Sequence, residues 1–145
     1  VPRELSMRDG KLCQQPVHEI ERMRGDCVCA TGGETVEEPG RLFDLVVSCE
    51  GAQVIELEIR KGVFVRYADG MLTLDMGDEG YGRDQRSIEL SELRDLRVLS
   101  DTTMVEIFAN GGEAALTSRT YSPAVPAMGL HAEGAASMDF YRLAH

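Results

Sequence analysis

Residues 95–121 read DLRVLSDTTMVEIFANGGEAALTSRTY. This stretch decides the fold, because its turns allow a strand register to be worked out. With Asp101-Thr102 as a two-residue turn, Val98 faces Val105, Leu96 faces Ile107 and Arg97 lies opposite Glu106. Apolar side chains then meet apolar ones, and charge meets countercharge. With Asn110-Gly111 as a type I′ turn, which needs positive φ at both positions and favours this dipeptide, Val105 faces Leu116 and Ile107 faces Ala114. Both hairpins turn the same side of the middle strand inward. Two independent turns therefore predict one three-stranded antiparallel meander.

The same period of two extends outward from this stretch. Phe43, Leu45, Val47 and Cys49 share one face; Ile55, Leu57 and Ile59 share another, with Glu56, Glu58 and Arg60 opposite. Val63, Val65 and Tyr67 follow, then Leu72, Leu74 and Met76. Half-buried antiparallel strands produce such alternation. Gly51, Gly62, Asp69-Gly70 and Gly77 punctuate the runs at hairpin spacing. Met128, Leu130 and Ala132, then Met138 and Phe140, read as two closing strands with Gly134 at the turn. Residues 77–86 are polar and Gly-rich and are expected to form a mobile surface loop. One short helix is expected, with Pro16 at its first position, Val17, Ile20 and Arg24 at helical spacing, Met23 beside them, and Gly25 closing it. About ten short strands and one helix predict an all-β, two-sheet antiparallel β-sandwich. It is read as a single domain, 1–145, in which 1–25 is a linker strand and short helix and 26–145 is the sandwich. No repeat of fixed period points to a propeller or solenoid.

Composition removes whole classes of function. The chain has 145 residues, with 15 Lys+Arg against 25 Asp+Glu and a net charge of −10. That balance argues against a nucleic-acid partner, whose affinity comes from neutralising phosphates. No apolar run approaches the roughly 20 residues that span a bilayer, so no membrane partner is expected. A chain of this length can bury roughly 70% of its unfolded surface without covalent staples. The opening Val1-Pro2-Arg3-Glu4-Leu5 carries neither an initiator Met nor an apolar leader, as expected of a processed or excised piece. Cys13, Cys27, Cys29 and Cys49 allow two disulfides by count. A Cys27–Cys29 bridge, however, is strained two residues apart on one strand face. Cys-x-Cys also departs from usual zinc spacing, and His18, His131 and His145 share no ligand spacing. The reading is therefore reduced, buried, structural thiols in a cytoplasmic protein, with no metal and no cofactor.

Two stretches carry family character. The first holds Pro2-Arg3-Glu4-Leu5, Gly10-Lys11-Leu12, Gln15-Pro16-Val17, Glu19-Ile20 and Met23-Arg24. The second holds Asp101, then Val105-Glu106-Ile107-Phe108-Ala109-Asn110-Gly111-Gly112-Glu113, then Thr117-Ser118-Arg119-Thr120-Tyr121. In order and spacing the chain resembles the C-terminal part of glycoside hydrolase family 32, the invertases, sucrose-6-phosphate hydrolases and fructanases. The resemblance implies a β-sandwich that follows a five-bladed catalytic propeller. It also implies a retaining mechanism with a nucleophilic Asp in Trp-Met-Asn-Asp-Pro-Asn-Gly, an Arg-Asp-Pro motif, and an acid/base Glu beside Cys. The chain has no Trp. Arg8-Asp9, Arg83-Asp84 and Arg94-Asp95 lack the following Pro, and Cys49-Glu50 is in reverse order. No catalytic residue carries over. The propeller becomes the expected partner, with a second copy of the chain as a further contact.

The remaining candidates are weighed against ordinary structural work. Glu56 and Glu58 share a face at about 7 Å, inside the inverting range for glycosidase carboxylates, but a regular strand flanked by Arg60 reads as a solvated face. Glu106 reads as the cross-strand partner of Arg97, with Arg119 nearby. Arg97, Asp101, Glu106, Asn110, Gly111 and Arg119 are thus the residues expected to build a structural motif. A carbohydrate-binding module for fructose-containing sugars is the alternative, and would need an aromatic platform. Tyr81, in the Gly-rich loop, is the candidate for it. A module cut from its partner predicts an apolar or Arg-rich patch within residues 2–24.

Overall fold

The computed structural model describes residues 3–8, 11–16, 18–31, 34–49, 52–76, 85–120 and 122–143. Its strands run β1 (Arg3–Arg8), β2 (Lys11–Pro16), β3 (Arg24–Thr31), β4 (Thr35–Glu37), β5 (Phe43–Ser48), β6 (Val54–Arg60) and β7 (Val63–Ala68). They continue as β8 (Met71–Asp75), β9 (Gln85–Glu89), β10 (Asp95–Ser100), β11 (Met104–Ala109), β12 (Ala114–Arg119), β13 (Ala127–Glu133) and β14 (Ser137–Leu143). One six-stranded sheet has the order β12-β11-β10-β5-β14-β3, the other β4-β13-β6-β7-β8-β9, and β1 pairs with β2 as a separate hairpin. The two large sheets are antiparallel and form a sandwich.

Alternation explains which faces meet. Phe43, Leu45 and Val47 of β5 and Met138 and Phe140 of β14 turn inward in the first sheet. Ile55, Leu57 and Ile59 of β6, Val65 of β7 and Leu72 and Leu74 of β8 do so in the second. Burying a side chain of this size stabilises the fold by roughly 1.5–3 kcal/mol. Phe43 and Phe140 sit side by side with ring centroids 5.3 Å apart, a tilted pair within the favourable aromatic range. The hairpin between β7 and β8 turns on Asp69-Gly70, where both φ angles are positive (52° and 72°), as a type I′ turn requires.

The meander is present as β10-β11-β12, but each register is displaced by two residues from the one derived above. Val98 pairs with Ile107 and Ser100 with Val105, so Thr102-Thr103 is the turn. The reason is Asp101: its Oδ1 accepts hydrogen bonds from the Thr103 and Met104 amides at 2.9 and 2.8 Å. Asp serves such a turn from its first corner, not from its centre. On the other side Ile107 pairs with Leu116 and Ala109 with Ala114. Asn110 and Gly111 do adopt positive φ, 53° and 70°, but the strands close only after Glu113. A displacement of two preserves which face each side chain takes. The core residues are therefore as read, while the cross-strand partners are not.

Three further expectations are corrected. The N-terminal helix is a 3-10 helix, His18–Met23; Pro16 ends β2 instead of opening a helix, and Arg24 and Gly25 begin β3. Gln85 and Arg86 are not loop but the start of β9, paired to Asp75 and Leu74. Arg60 does not lie on the solvent face with Glu56 and Glu58. The β6-β7 register slips between Glu58 and Arg60, a bulge that turns both Ile59 and Arg60 into the interior, each 0% exposed. The rest of the Gly-rich stretch, 77–84, with Tyr81, and also Tyr121 and His145, lie outside the described residues.

Candidate functional site

The outer face of the first sheet is where the polar chemistry collects. Asp44 points away from the core on β5, yet it is 0% exposed. Arg97 of β10 reaches it by two bonds, Nε to Oδ1 at 2.9 Å and Nη2 to Oδ2 at 2.8 Å. Arg24, at the start of β3, donates Nε to Oδ2 at 2.7 Å, and its guanidinium stacks 4.2 Å from the centre of the Tyr141 ring. Glu21 from the 3-10 helix stands 4.0 Å from Arg97, on the more exposed side of the cluster. Bidentate charge-assisted bonds of this kind offset the cost of burying a carboxylate. The expected Arg97–Glu106 pair is absent because the two-residue displacement puts Phe108 opposite Arg97.

Glu106 is answered from the N-terminal hairpin. Arg3 of β1 donates to its carboxylate at 3.2 Å and also to the Thr117 hydroxyl, while lying over the Phe108 ring at 5.2 Å. That one side chain binds the hairpin across β11 and β12. The Asn110 side chain accepts from the Arg94 amide at 2.7 Å and donates to the Glu92 carbonyl at 2.9 Å. The Gly111 amide donates to Asp95 at 2.9 Å. Arg119 ends β12 exposed, opposite Met104. The structure thus brings Asn110, Gly111 and Arg97 to one place, Glu106 to its neighbour, and leaves Asp101 and Arg119 at the far end of the meander. A cleft of about 220 Å³ opens between the 3-10 helix and the Asn110 turn, lined by Glu21, Arg24, Asp95, Arg97, Phe108 and Gly111.

Neither the burial of Arg60 nor that of Asp44 follows from the alternation in the sequence, and Arg60 is the more heavily bonded of the two. Its guanidinium donates to the carbonyls of Ser122 (2.8 Å), Asp101 (2.6 Å) and Thr102 (3.0 Å) and to the Ser100 hydroxyl (2.9 Å). It ties the second sheet to the first turn of the meander. Burial, and secondarily the charge of Arg41, holds its pKa below the ordinary value. An Asp between two large apolar residues, Phe43 and Leu45, was the available signal for Asp44, since Asp is depleted in strands. No comparable signal marks a bulge one residue before the Lys61-Gly62 turn.

Cysteine placement corrects another expectation. Cys49 is buried, its thiol directed at the Leu93 carbonyl and pushed up to about 11, first by burial and then by Asp95. Cys27 and Cys29 are exposed, with sulfurs 3.4 Å apart, beside Asp139. The Cys29 thiol is pushed up to about 12, chiefly by its hydrogen bond with Asp139 and then with Cys27.

The carboxylates weighed for catalysis serve the fold. Glu56 pairs with Arg66 at 2.8 Å, and Glu58 accepts the Gly62 amide at 3.0 Å. Tyr67 is buried and donates to the Leu90 carbonyl at 2.8 Å, so it offers no sugar a face. Among the described residues the exposed large apolar side chains are Leu5 (65%) and Met7 (66%) on β1, Met23 (39%) at the end of the 3-10 helix and Val28 (37%) on β3. Among the described residues no helix is long and apolar enough to cross a membrane, which says nothing of β-barrels.

Known proteins resemble this chain in sequence and in fold. Residues 63–143 match the family model described as glycosyl hydrolases family 32 C terminal. The chain is 36% identical over 149 residues to a raffinose invertase of Escherichia coli, covering 86% of this chain and 29% of that protein. It is 31% identical over 131 residues to a sucrose-6-phosphate hydrolase of Salmonella typhimurium, covering 84% and 25% respectively. It therefore spans less than a third of these relatives. The fold is similar to that of a sucrose-6-phosphate hydrolase from Lactobacillus gasseri, with a TM-score of 0.82 at 20% identity, over 98% of this chain and 33% of that one. A glycoside hydrolase family 32 protein from Bifidobacterium adolescentis is also similar, with a TM-score of 0.81 at 23% identity, over 99% and 25%. On the family match and the 36% identity together, this chain belongs to the glycosyl hydrolase family 32 C-terminal family.

Proposed function

We propose that this chain is a non-catalytic β-sandwich module that packs on and stabilises the catalytic propeller of a sucrose- or β-fructoside-hydrolysing enzyme. The observation that carries the reading is its share of its relatives: it covers 29% and 25% of two proteins named for sucrose- or raffinose-type hydrolysis. The exposed Leu5, Met7 and Met23 on the arm that precedes the sandwich support it, because exposed apolar side chains fit a surface covered by a neighbouring domain. Arg3 ties the hairpin to β11 and β12 through Glu106 and Thr117. The proposal includes contact between copies of the enzyme through this module and work in a cytoplasmic compartment, which the free thiols of Cys27, Cys29 and Cys49 favour.

The pure polypeptide tests the reading. Incubated with sucrose, raffinose or sucrose 6-phosphate, it is expected to release no monosaccharide; release would overturn the proposal. Titration with sucrose, fructose and inulin is expected to show no saturation. Saturable binding would support the carbohydrate-binding alternative in its place.

A further inference from the structure

We infer that Cys27, Cys29 and Asp139 form a binding site for a soft divalent cation of the zinc or cadmium kind. The topology builds it. Cys27 and Cys29 lie two apart on β3, so both side chains leave the same face of the strand. β14 is the neighbour of β3, and its register sets Asp139 directly opposite Cys29 and Tyr141 opposite Cys27. Val28 and Ala30, the alternate residues, pair with Phe140 and Met138 on the opposite face, where Ala30 is buried and Val28, on the edge strand, stays 37% exposed. The two thiols and the carboxylate are therefore presented together on the outer face of the sheet. β3 is an edge strand, so this face is open on one side.

The distances match the coordination chemistry. The two sulfurs stand 3.4 Å apart, and one ligand atom from each of the three residues lies within 4.8 Å of the others. A tetrahedral site with metal–sulfur bonds of about 2.3 Å needs its sulfurs about 3.8 Å apart, a shift that two exposed side chains make by small rotations. Thiolates select soft cations, whereas hard oxygen-seeking cations such as magnesium are disfavoured. Two thiolates and one carboxylate over-neutralise a divalent charge by one, and a water completes the fourth position. Among the described residues no ion pair engages Asp139, in contrast to Asp44 and Asp75, each held by arginine. A direct Cys27–Cys29 disulfide is the competing fate of the pair. It would pull together residues two apart on an extended strand, at the limit of the Cα separation that a disulfide tolerates.

Cadmium alone is the probe, added to the whole polypeptide with its thiols kept reduced by a phosphine. One equivalent is expected to produce a sulfur-to-cadmium charge-transfer band, and zinc is expected to displace it competitively. Cys27→Ser and Cys29→Ser should each remove most of the band, and Asp139→Asn should weaken binding by about tenfold or more. All three residues sit on the exposed side of the sheet, and circular dichroism of each variant checks that it is folded. The inference is overturned if the reduced wild-type chain gives no stoichiometric band. It is overturned equally if the double Cys27→Ser, Cys29→Ser variant, which retains Cys13 and Cys49, binds as well, or if Asp139→Asn binds unchanged.

Discussion

Arg97 grips Asp44 diagonally across the β10-β5 ladder, with both of its donors on the two carboxylate oxygens. Asp44 is also the point to which Arg24 fastens the start of β3, so one buried carboxylate organises three strands. Removing it leaves two arginines facing each other. Asp44→Ala is expected to lower stability by about 3 kcal/mol, the low end for a broken buried pair because the arginines keep 16% and 19% of their side-chain surface exposed. Urea denaturation measures this. Arg97→Lys should cost less but more than a surface substitution, since an ammonium cannot make the fork.

Arg60 provides a sharper test of the bulge on β6. Its donors are spread over five backbone or hydroxyl oxygens with no carboxylate among them. Arg60→Ala should lose at least about 3 kcal/mol, from the cavity and the stranded carbonyls together. Arg60→Lys should recover less than half of that loss in the same denaturation experiment. A surface arginine, as the alternation of Glu56, Glu58 and Arg60 suggests, would show a loss within about 0.5 kcal/mol.

Asn110 combines a positive φ with a two-way amide bridge to the Glu92–Arg94 backbone. Asn110→Asp keeps the shape and the tolerance of that backbone region but turns the donor into an acceptor aimed at the Glu92 carbonyl. A destabilisation of about 1–3 kcal/mol is expected, measured by thermal unfolding, with partial recovery at acidic pH where the new carboxyl protonates.

How much of this was legible beforehand follows from what periodicity encodes. Leu96, Val98, Val105 and Ile107 were placed inward correctly because a strand repeats every two residues, and the true displacement was two. Their partners were not legible, because a dipeptide such as Asp101-Thr102 does not say whether Asp is the first or second corner of its turn. Asp69-Gly70 was legible outright, since its two-residue loop matches its strands. Arg60 was not, because a bulge reverses the face without changing composition. Arg97 and Glu106 were both recognised as paired residues, yet their partners, Asp44 and Arg3, come from strands 53 and 103 residues away. Such partners depend on sheet order, which local spacing does not determine.

Alkaline pH should loosen the fold. The buried Cys49 thiol, about 9 when unfolded and about 11 here, stays protonated in the folded chain while the unfolded chain ionises. The folded state then holds more protons, so stability present below pH 9 falls as pH climbs toward 11. Tyr67 and Tyr141, also raised, act in the same direction. Denaturation curves at a series of pH values check this. Cys49→Ala should make the alkaline decline shallower, and Cys49 should resist alkylation until the chain unfolds.

The proposed support of a catalytic neighbour predicts that the two parts unfold together. Scanning calorimetry tests it directly, on a full-length relative whose similar C-terminal segment has been exchanged for this chain. A single cooperative transition is expected, well above that of the same relative lacking the segment, and a lowered transition when Leu5 and Met7 are both changed to Asp. Two independent transitions, with the catalytic part unfolding at the temperature of the truncated relative, would contradict it.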